Sequence, residues 1–308
     1  MFKPELLLTP TKLSDLEPLI NAGADAFVIG EQQFGLRLAG EFTRGDVLKA
    51  VDIIHSHNKK VYVAVNAIFH NEKLDDVTDY MQFLQTANVD GVLFGDPAVL
   101  MIARDVAPKL KLHWNPETTA TNWFQCNYWG KRRALRSVLS RELSMDEIIE
   151  IKENTDVEIE VQVHGMTCMF QSKRKLVGNY FEFRKEQMEL KHDDNQQLFL
   201  YDAERDNKYP IFEDVNGTHI MSPNDICIID ELEELIDANI DSFKIEGVLK
   251  TTDYLVTVTK LYRNAIDLAV ENRKQYNKVK ADLVKQIEEV QPVNRPLDTG
   301  FFYKETVY

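Results

Sequence analysis

The stretch Lys60-Val61-Tyr62-Val63-Ala64-Val65-Asn66 is an apolar, β-branched run that ends in a polar residue. This composition is typical of a strand buried on both faces of a parallel sheet. Helix-like sequence follows it, and the same unit recurs eight times along the chain. The other seven runs are 6–8, 26–29, 91–94, 111–114, 136–139, 159–163 and 242–245. This alternation predicts an α/β fold, a closed (β/α)8 barrel of the TIM type, with a functional site where the strands end.

The strand–helix pattern is interrupted over 169–223. This stretch is too long for an ordinary βα loop, and its Asn216-Gly217 pair indicates a hairpin turn. We therefore predict a barrel domain over 1–290, with an insertion after strand 7 that caps the barrel mouth. A capped helix is expected over 226–238, and a Pro-interrupted tail over 291–308.

The 308-residue chain is acidic, with 50 Asp and Glu against 36 Lys and Arg and a formal net charge of −14. Such a surface repels the phosphates of nucleic acid, so RNA binding by this chain alone is expected to be weak. A local basic patch or a partner would have to supply it. The two candidate patches are Lys131-Arg132-Arg133 with Arg136, and Lys173-Arg174-Lys175, although such runs are usually solvated surface.

The cysteines indicate a reducing compartment. Only Cys126, Cys168 and Cys227 occur, which is too few and an odd number for a disulfide framework. No apolar stretch approaches the roughly 18 residues that a membrane helix needs, and the N-terminus has no signal-peptide pattern. We expect a cytoplasmic protein without a membrane partner.

The segment His164-Gly165-Met166-Thr167-Cys168 begins where strand 7 ends. A His four residues from a Cys is compatible with a thiolate–imidazolium pair or with two metal ligands. The alternative is a hydrogen-bonded His beside a buried, structural Cys. The chain contains no HExxH, GxSxG or CxxC motif to decide between them.

Charged residues also end strands 6 and 8. Lys244 and Glu246 alternate with apolar residues and therefore face the same way along the strand. Because inward-facing charges need partners, they form either an internal ion pair or a substrate clamp. Arg141-Glu142 can be interpreted identically.

Two polar loops complete the ring of candidate residues. Gly30 to Arg37 follows strand 2 and offers glycine backbone and a guanidinium to an anion, without matching a phosphate-loop pattern. Asn66 and His70 lie in the loop after strand 3.

With these loops placed, the chain resembles the collagenase-like peptidase family U-32 over nearly its whole length. The segments that carry the resemblance are 5–7, 21–26, 34–37, 60–63, 70–71, 121–122, 141–144, 160–168, 225–227, 241–247 and 262–267. The bacterial branch of this family that it is most similar to hydroxylates RNA bases or ubiquinone precursors, often as pairs of related subunits. The chain looks most like the short subunit type that acts on the wobble uridine of tRNA.

This resemblance implies a tRNA modification protein that contributes to prephenate-dependent 5-hydroxylation, together with a longer paralogue. The paralogue would contact tRNA, which this chain meets only indirectly. Prephenate is a dicarboxylate, so its pocket needs cations. The expected substrate-binding residues are Arg37, Asn66, His70, Arg141, Glu142, Arg174 and Lys244. The expected catalytic residues are His164, Glu246 and Cys168.

Family members also carry a four-cysteine [4Fe-4S] cluster. By resemblance, Cys168 matches the first ligand and Cys227 the last. The second falls on Lys175, and no cysteine occurs where the third is expected. Since two thiolates cannot replace four, we expect no cluster and no metal on this chain alone.

Two other functions remain open. The chain could be a peptidase, as the family name says, with Cys168 and His164 as nucleophile and base, or with a metal at His113, His164 and Glu246. It could also be a degenerate, non-catalytic subunit that binds its active paralogue, which the lost cysteines favour.

Overall fold

The computed structural model describes residues 2–185 and 198–304, so that 186–197 of the expected insertion lie outside the described residues. The strands are β1 (Glu5–Leu8), β2 (Ala26–Ile29), β3 (Lys60–Val65), β4 (Gly91–Phe94), β5 (Leu112–Trp114), β6 (Ala134–Val138), β7 (Glu158–Gly165), β8 (Cys168–Ser172), β9 (Leu198–Asp202), β10 (Asn207–Asp214), β11 (Gly217–Met221), β12 (Asp225–Cys227), β13 (Ser242–Ile245) and β14 (Leu297–Asp298). The helices are α1 (Leu16–Ala22), α2 (Arg44–Ser56), α3 (Leu74–Thr86), α4 (Pro97–Val106), α5 (Trp123–Gly130), α6 (Met145–Glu153), α7 (Leu176–Arg184), α8 (Leu232–Asp237), α9 (Thr252–Glu271) and α10 (Arg273–Val290).

The barrel is closed by pairing between its first and last strands. Strands β1 to β7 pair in parallel, each with the next, and β13 pairs in parallel with both β7 and β1. In this register Lys244 lies opposite Leu7 on one side and Gln162 on the other. The predicted (β/α)8 barrel is confirmed, and the carboxyl ends of its strands share one rim.

Helices lie between the barrel strands and bury one face against them. Val47, Val51 and Ile54 of α2, for example, are buried. Local sequence fixes where helices begin. Ser144 and Glu147 form the capping box predicted for α6, because Ser144 accepts from Glu147 N while Glu147 accepts from Ser144 N.

The amino-terminal end of the barrel is closed by a buried ionic cluster. The Arg136 guanidinium donates to Glu5 Oε1 at 2.7 Å, to Glu158 Oε2 at 2.9 Å and to Glu160 Oε2 at 3.4 Å. Tyr62 donates its hydroxyl hydrogen to the other oxygen of Glu5. Arg136 is thus an internal counter-charge and not part of a surface patch.

The insertion is a second, antiparallel sheet with strand order β8-β11-β10-β9, and α7 lies beside it. Asp214 pairs with Gly217, which confirms the hairpin turn predicted at Asn216-Gly217. We propose that the stretch 169–223 be treated as one unit mounted on the barrel.

The helix expected over 226–238 is wrong in its first half. Residues Asp225–Cys227 form β12, which pairs antiparallel with β7 and parallel with β14 from the expected tail. The helix α8 covers Leu232–Asp237 only. Asp225 does not cap it, because its buried carboxylate instead pairs with Lys250 and Arg295.

Candidate active site at the barrel mouth

Residues from different strand ends converge on the carboxylate of Glu117, two positions after Asn115 at the end of β5. Glu117 Oε2 accepts from Arg141 Nη1 at 3.0 Å and from Arg37 Nη2, and Oε1 accepts from Asn66 Nδ2 at 2.9 Å. Three of the predicted binding residues, from the loops after β2, β3 and β6, therefore meet at one group. Glu117 itself was not among the residues predicted from the sequence.

Glu117 is ionised in this setting. Burial by itself would raise the pKa of its carboxyl, but the charges of Arg37, Arg141 and Lys244 outweigh burial and lower the pKa to about 2. The backbone of Glu117 is also unusual, with φ +67°, as is that of Arg37 with φ +49°. Such angles are uncommon for residues with side chains and cluster at functional sites.

A second carboxylate lies at the end of β13. Glu246 Oε2 is 2.9 Å from Lys244 Nζ, and Glu246 Oε1 accepts from the Thr9 hydroxyl at 2.6 Å. Burial opposes ionisation of Glu246, but Lys244, Thr9 and Arg141 together lower its pKa below the ordinary value. Lys244 and Glu246 therefore form the ion pair that the sequence allowed, at the same rim as Glu117.

Gln162 holds Arg141 and the turn after β7 at the rim. Its Oε1 accepts from Arg141 Nε at 3.0 Å, and its Nε2 donates to the Met166 carbonyl at 3.0 Å. The tight turn after β7 needs Gly165, which has φ +97° and lies so close that an added Cβ would be 2.6 Å from the Glu246 carbonyl oxygen. The rim is therefore a connected polar network.

The sheet of the insertion covers this network. Gln171 Oε1 on β8 accepts from Arg37 Nη1 at 3.0 Å. Asn216 Nδ2, in the β10–β11 turn, donates to the Gln32 carbonyl at 2.7 Å and the Gly35 carbonyl at 3.1 Å. A small apolar cluster joins the sheet to the barrel; its buried members are Ala39, Met166, Phe212, Met221 and Val248.

Cys168 lies on the covered side of this sheet, beside His219. The Cys168 thiol packs against the apolar cluster. Burial opposes protonation of His219, but the interactions of His219 with Asp214 and Cys168 outweigh burial and raise its pKa. His219 Nε2 is 3.0 Å from Asp214 Oδ1, while its buried Nδ1 has no hydrogen-bond partner in the described residues. The Cys168 thiol lies near this His219–Asp214 pair but donates its hydrogen to the Phe170 carbonyl at 3.3 Å, and this His is a different one from that which the sequence suggested.

The structure does not bring His164 to the mouth. The register of β7 against β13 shifts at Lys244/Ile245, so that Gln162 lies opposite Lys244 but His164 lies opposite Ile245. This bulge turns His164 toward the helices. Its ring Nε2 is 2.6 Å from the Tyr254 hydroxyl, and the ring is fully buried.

Burial lowers the pKa of His164 to about 3, so the ring is neutral at physiological pH. A neutral His on the far side of the barrel wall cannot exchange a proton with a ligand beside Glu117. The prediction that His164 lies at the mouth as a catalytic residue is therefore wrong about its position.

The metal site considered at His113, His164 and Glu246 does not form. His113 lies inside the barrel against Tyr62, with ring centroids 4.6 Å apart. Across residues 2–185 and 198–304, no group of three or more His, Cys, Asp or Glu is placed to hold a metal ion.

Comparison with known proteins identifies the chain's relatives. A model of peptidase family U32 matches residues 11–307. The chain belongs to peptidase family U32. Among curated U32 proteins it is 66% identical, over all of both chains, to tRNA hydroxylation protein P2 of Bacillus subtilis. It is 32% identical to tRNA hydroxylation protein P1 of the same bacterium, covering 97% of this chain and 71% of that protein.

The U32 family also contains proteins named as proteases. Over 99% of its length, the chain is 32% identical to the uncharacterized protease MJ0090 of Methanocaldococcus jannaschii, of which it covers 74%. The solved structure of the U32 peptidase Mk0906 superimposes with a TM-score of 0.51 at 12% identity, covering 80% of this chain and 93% of that one. This structure supports the barrel fold alone.

Three residues predicted to bind substrate do not join the polar network around Glu117 at the barrel mouth. His70, Glu142 and Arg174 are exposed, and their side chains make no contact with the groups around Glu117 that the structure describes. Arg174 lies on the outer end of β8, just before α7. Exposed polar residues near strand ends cannot be separated from mouth residues by sequence spacing alone.

The U32 iron–sulfur cluster does not fit the residues present. Cys168 is half-buried on the covered side of the insertion, while Cys227 is buried in β12 and receives a hydrogen bond from Tyr262 at 3.7 Å. Burial raises the pKa of the Cys227 thiol to about 11. Lys175, at the second ligand position, is exposed. These groups cannot replace four cysteine thiolates.

No helix in the described part of this U32 chain is long and apolar enough to cross a membrane.

Proposed function

We propose that this chain takes part in the 5-hydroxylation of the wobble uridine of tRNA, working with a longer U32 paralogue. The observation that carries the proposal is the 66% identity to a tRNA hydroxylation protein along the full length of both chains. The P1 protein of the same bacterium is a longer U32 relative, because this chain covers only 71% of it. This chain and a longer U32 protein therefore fit a pair made of one short and one long subunit.

The mouth suits an anionic co-substrate. Arg37, Arg141 and Lys244 contribute three positive charges, and Glu117 and Glu246 contribute two negative ones, so these five groups carry +1. Guanidinium forks match carboxylates. We propose that prephenate, or a similar dicarboxylate, binds here with one carboxylate replacing Glu117 on the two arginines.

We assign Glu246 as the proton-transfer group and Lys244 as its electrostatic partner. Glu246 is buried at the rim, and Thr9 and Lys244 fix the positions of its oxygens. Fixed orientation of this kind is what a general base or acid needs. Cys168, at the start of β8 and near Arg141, is the second candidate reactive group.

Deleting this gene and that of the longer paralogue separately tests the proposal in the native host. We expect 5-hydroxyuridine-derived nucleosides in bulk tRNA, measured by mass spectrometry, to fall in both strains and to recover when each gene is restored. Unchanged nucleosides in both strains would contradict the function. A loss in the paralogue deletion alone would remove this chain from it.

Co-purification from the native host tests the pairing. If this chain elutes alone under conditions that preserve the paralogue's own fold, the heterodimer and the role as a binding subunit both fail.

A peptidase is the second candidate, favoured by the hydrogen-bonded pair His219 and Asp214 near the Cys168 thiol. These are the residue types that serve as nucleophile, base and orienting group in cysteine hydrolases. Because we assign the site to a small dicarboxylate, we expect purified protein to leave gelatin and casein intact. Cleavage that disappears in Cys168→Ala and persists in Cys126→Ala, whose thiol is buried on α5, would instead establish the peptidase.

A further inference from the structure

Helix α7 is anchored at its N-terminus and contains no buried residue. Its first backbone N–H groups donate to the insertion: Leu176 to Thr218 Oγ1 at 2.8 Å, Val177 to Glu213 Oε1 at 2.7 Å and Gly178 to Glu213 Oε2 at 3.1 Å. No side chain of the helix is buried. A helix fixed at its N-terminus but without a packed face is placed to present its surface to something else.

The surface that α7 presents is apolar and aromatic. Leu176, Tyr180 and Phe183 follow one another at spacings of four and three residues and so lie along one side of the helix. Their exposed fractions are 41%, 53% and 86%. Exposed apolar groups that share one face of a helix mark interaction sites more often than isolated ones do.

Basic residues flank this aromatic stripe at both ends. Lys173-Arg174-Lys175 precede the helix, and Arg184 and Lys185 end it. The stretch 168–185 contains these five basic residues and one acidic residue, Glu182, so it carries +4 in a chain of −14. The α7 surface, defined as Lys173, Arg174, Lys175, Leu176, Tyr180 and Phe183, is therefore opposite in charge to the protein as a whole.

In the other basic run of the sequence, the three arginines make internal contacts and only Lys131 is exposed without one among the described residues. Arg132 stacks on the Tyr128 ring, 3.5 Å from its centroid, and donates to the Tyr128 carbonyl at 3.1 Å. Arg133 donates to the Pro108 carbonyl at 2.5 Å, and Arg136 is buried in the barrel. By contrast, Arg174 and Lys175 are exposed, and Lys173 alone of the three donates its ammonium, to the Ile68 carbonyl at 3.3 Å.

The α7 surface begins close to the mouth. Gln171 on β8 contacts Arg37, and Lys175 follows four residues later. At about 3.3 Å per extended residue, the basic run lies within roughly 13 Å of the mouth network. A macromolecule bound to this surface would have part of its length within reach of the barrel mouth.

We propose that the α7 surface is the RNA-contacting face of this chain, binding unpaired nucleotides of a tRNA loop. This inference rests on the proposed function and names the contact that the acidic composition had seemed to exclude. Aromatic side chains stack on unpaired bases of any sequence, and flanking Lys and Arg neutralise phosphates. A protein-binding helix would be expected to carry fewer lysines around its apolar stripe.

The test uses a fluorescent anticodon stem–loop RNA with uridine at the first anticodon position, titrated with the purified full chain, alone and with its longer paralogue. Two double variants probe the surface: Arg174→Glu with Lys175→Glu, and Tyr180→Ala with Phe183→Ala. Two controls make comparable changes elsewhere: Lys274→Glu with Lys278→Glu on α10 repeats the charge change, and Phe124→Ala on α5 removes an exposed aromatic ring. All seven substituted side chains are exposed.

We expect each α7 double variant to bind the RNA at least about tenfold more weakly, which is the loss of roughly one stacked base or of its phosphate contacts. The charge variant should also flatten the dependence of log affinity on log salt by about 1.4, or 0.7 for each lost phosphate contact. Controls should match wild type, and Arg174→Lys should retain affinity.

Three results would overturn the proposal. One is affinity of both α7 variants equal to wild type, and another is no binding by wild type with or without the paralogue. The third is weaker association with the paralogue at unchanged RNA affinity, which would make the surface a protein interface. The RNA-binding assay does not depend on hydroxylation. If the purified chain binds RNA through α7 while deletion of its gene leaves tRNA hydroxylation unchanged, the proposed function is refuted and the RNA-binding surface is retained.

Discussion

Glu246→Gln is expected to lower the rate of 5-hydroxyuridine formation by about 100-fold, the usual contribution of a positioned proton-transfer group. The amide keeps the size of the side chain and an oxygen that can still accept from Thr9, but it can neither take up a proton nor balance Lys244. The measurement is the initial rate of tRNA modification with the longer paralogue and prephenate present.

The fold must be shown to survive, because Lys244 loses its counter-charge in Glu246→Gln. Thermal unfolding of the variant should remain cooperative, and Lys244→Met with Glu246→Gln, which removes both charges, should fold but stay inactive. Glu271→Gln, an exposed carboxyl at the end of α9, is the matched control and should keep the wild-type rate. A cooperative Glu246→Gln protein with more than half of the wild-type rate would show that this carboxylate transfers no proton.

The barrel was predictable because its signal is repeated. Each apolar run is short and ends in a polar residue, and closure puts all such ends on one rim whatever the loops do. Arg37, Arg141, Lys244 and Glu246 were found for that reason, and they do converge. The prediction used only the position of a residue relative to its own strand, which local sequence contains.

Glu117 was missed because it acts through loop geometry. It stands two residues beyond Asn115, and only a backbone with positive φ directs its carboxylate to three other loops. The sequence signal that could have indicated Glu117 was its position, as an acidic residue two places after Asn115, the polar residue that ends the fifth apolar run. Loop direction depends on long-range contacts and is not contained in spacing.

His164 was misplaced because a single bulge reverses the face of a strand. Alternation along β7 puts Gln162 and His164 on the same side, which is the interior. The extra residue between them moves His164 to the side of Ile245 and the helices. A bulge follows from pairing with β13, some 80 residues away, so it leaves no mark in the sequence of β7.

The strand β12 was missed for a related reason. Its sequence follows a plausible cap and precedes helix-like residues, so a helix was the better local prediction. In the structure, Asp225 is fixed by Lys250 and Arg295, and Gln291 Nε2 also donates to it at 2.6 Å. Those partners follow Asp225 by 25 residues or more, and together they outweigh the local preference.

The same misplaced histidine gives the fold a dependence on acidity. His164 has a folded pKa of about 3 against an ordinary 6.5, because burial disfavours the charged ring more than the Asp225 carboxylate favours it, with Lys250 adding to the burial effect. Between these values the unfolded chain binds more protons than the folded one. Stability is therefore full above about pH 6.5 and is lost as the pH falls toward 3.

We expect wild-type protein to lose about 3 kcal/mol of unfolding free energy through His164 between pH 6.5 and pH 4, at roughly 1.4 kcal/mol per pH unit. His164→Gln, which can still bond the Tyr254 hydroxyl but cannot titrate, should lack this part of the slope. Urea unfolding at a series of pH values measures both proteins.

Tyr254→Phe is the matched control, because it removes the hydrogen bond to His164 but leaves the ring buried. It should lower stability at every pH while keeping the wild-type slope, since burial and not this hydrogen bond depresses the pKa of His164. Parallel curves for wild type and His164→Gln would mean that His164 takes up a proton as readily in the folded protein as in the unfolded chain. The bulge in β7 would then face His164 toward water or a carboxylate, and its exclusion from the chemistry at the mouth would have to be withdrawn.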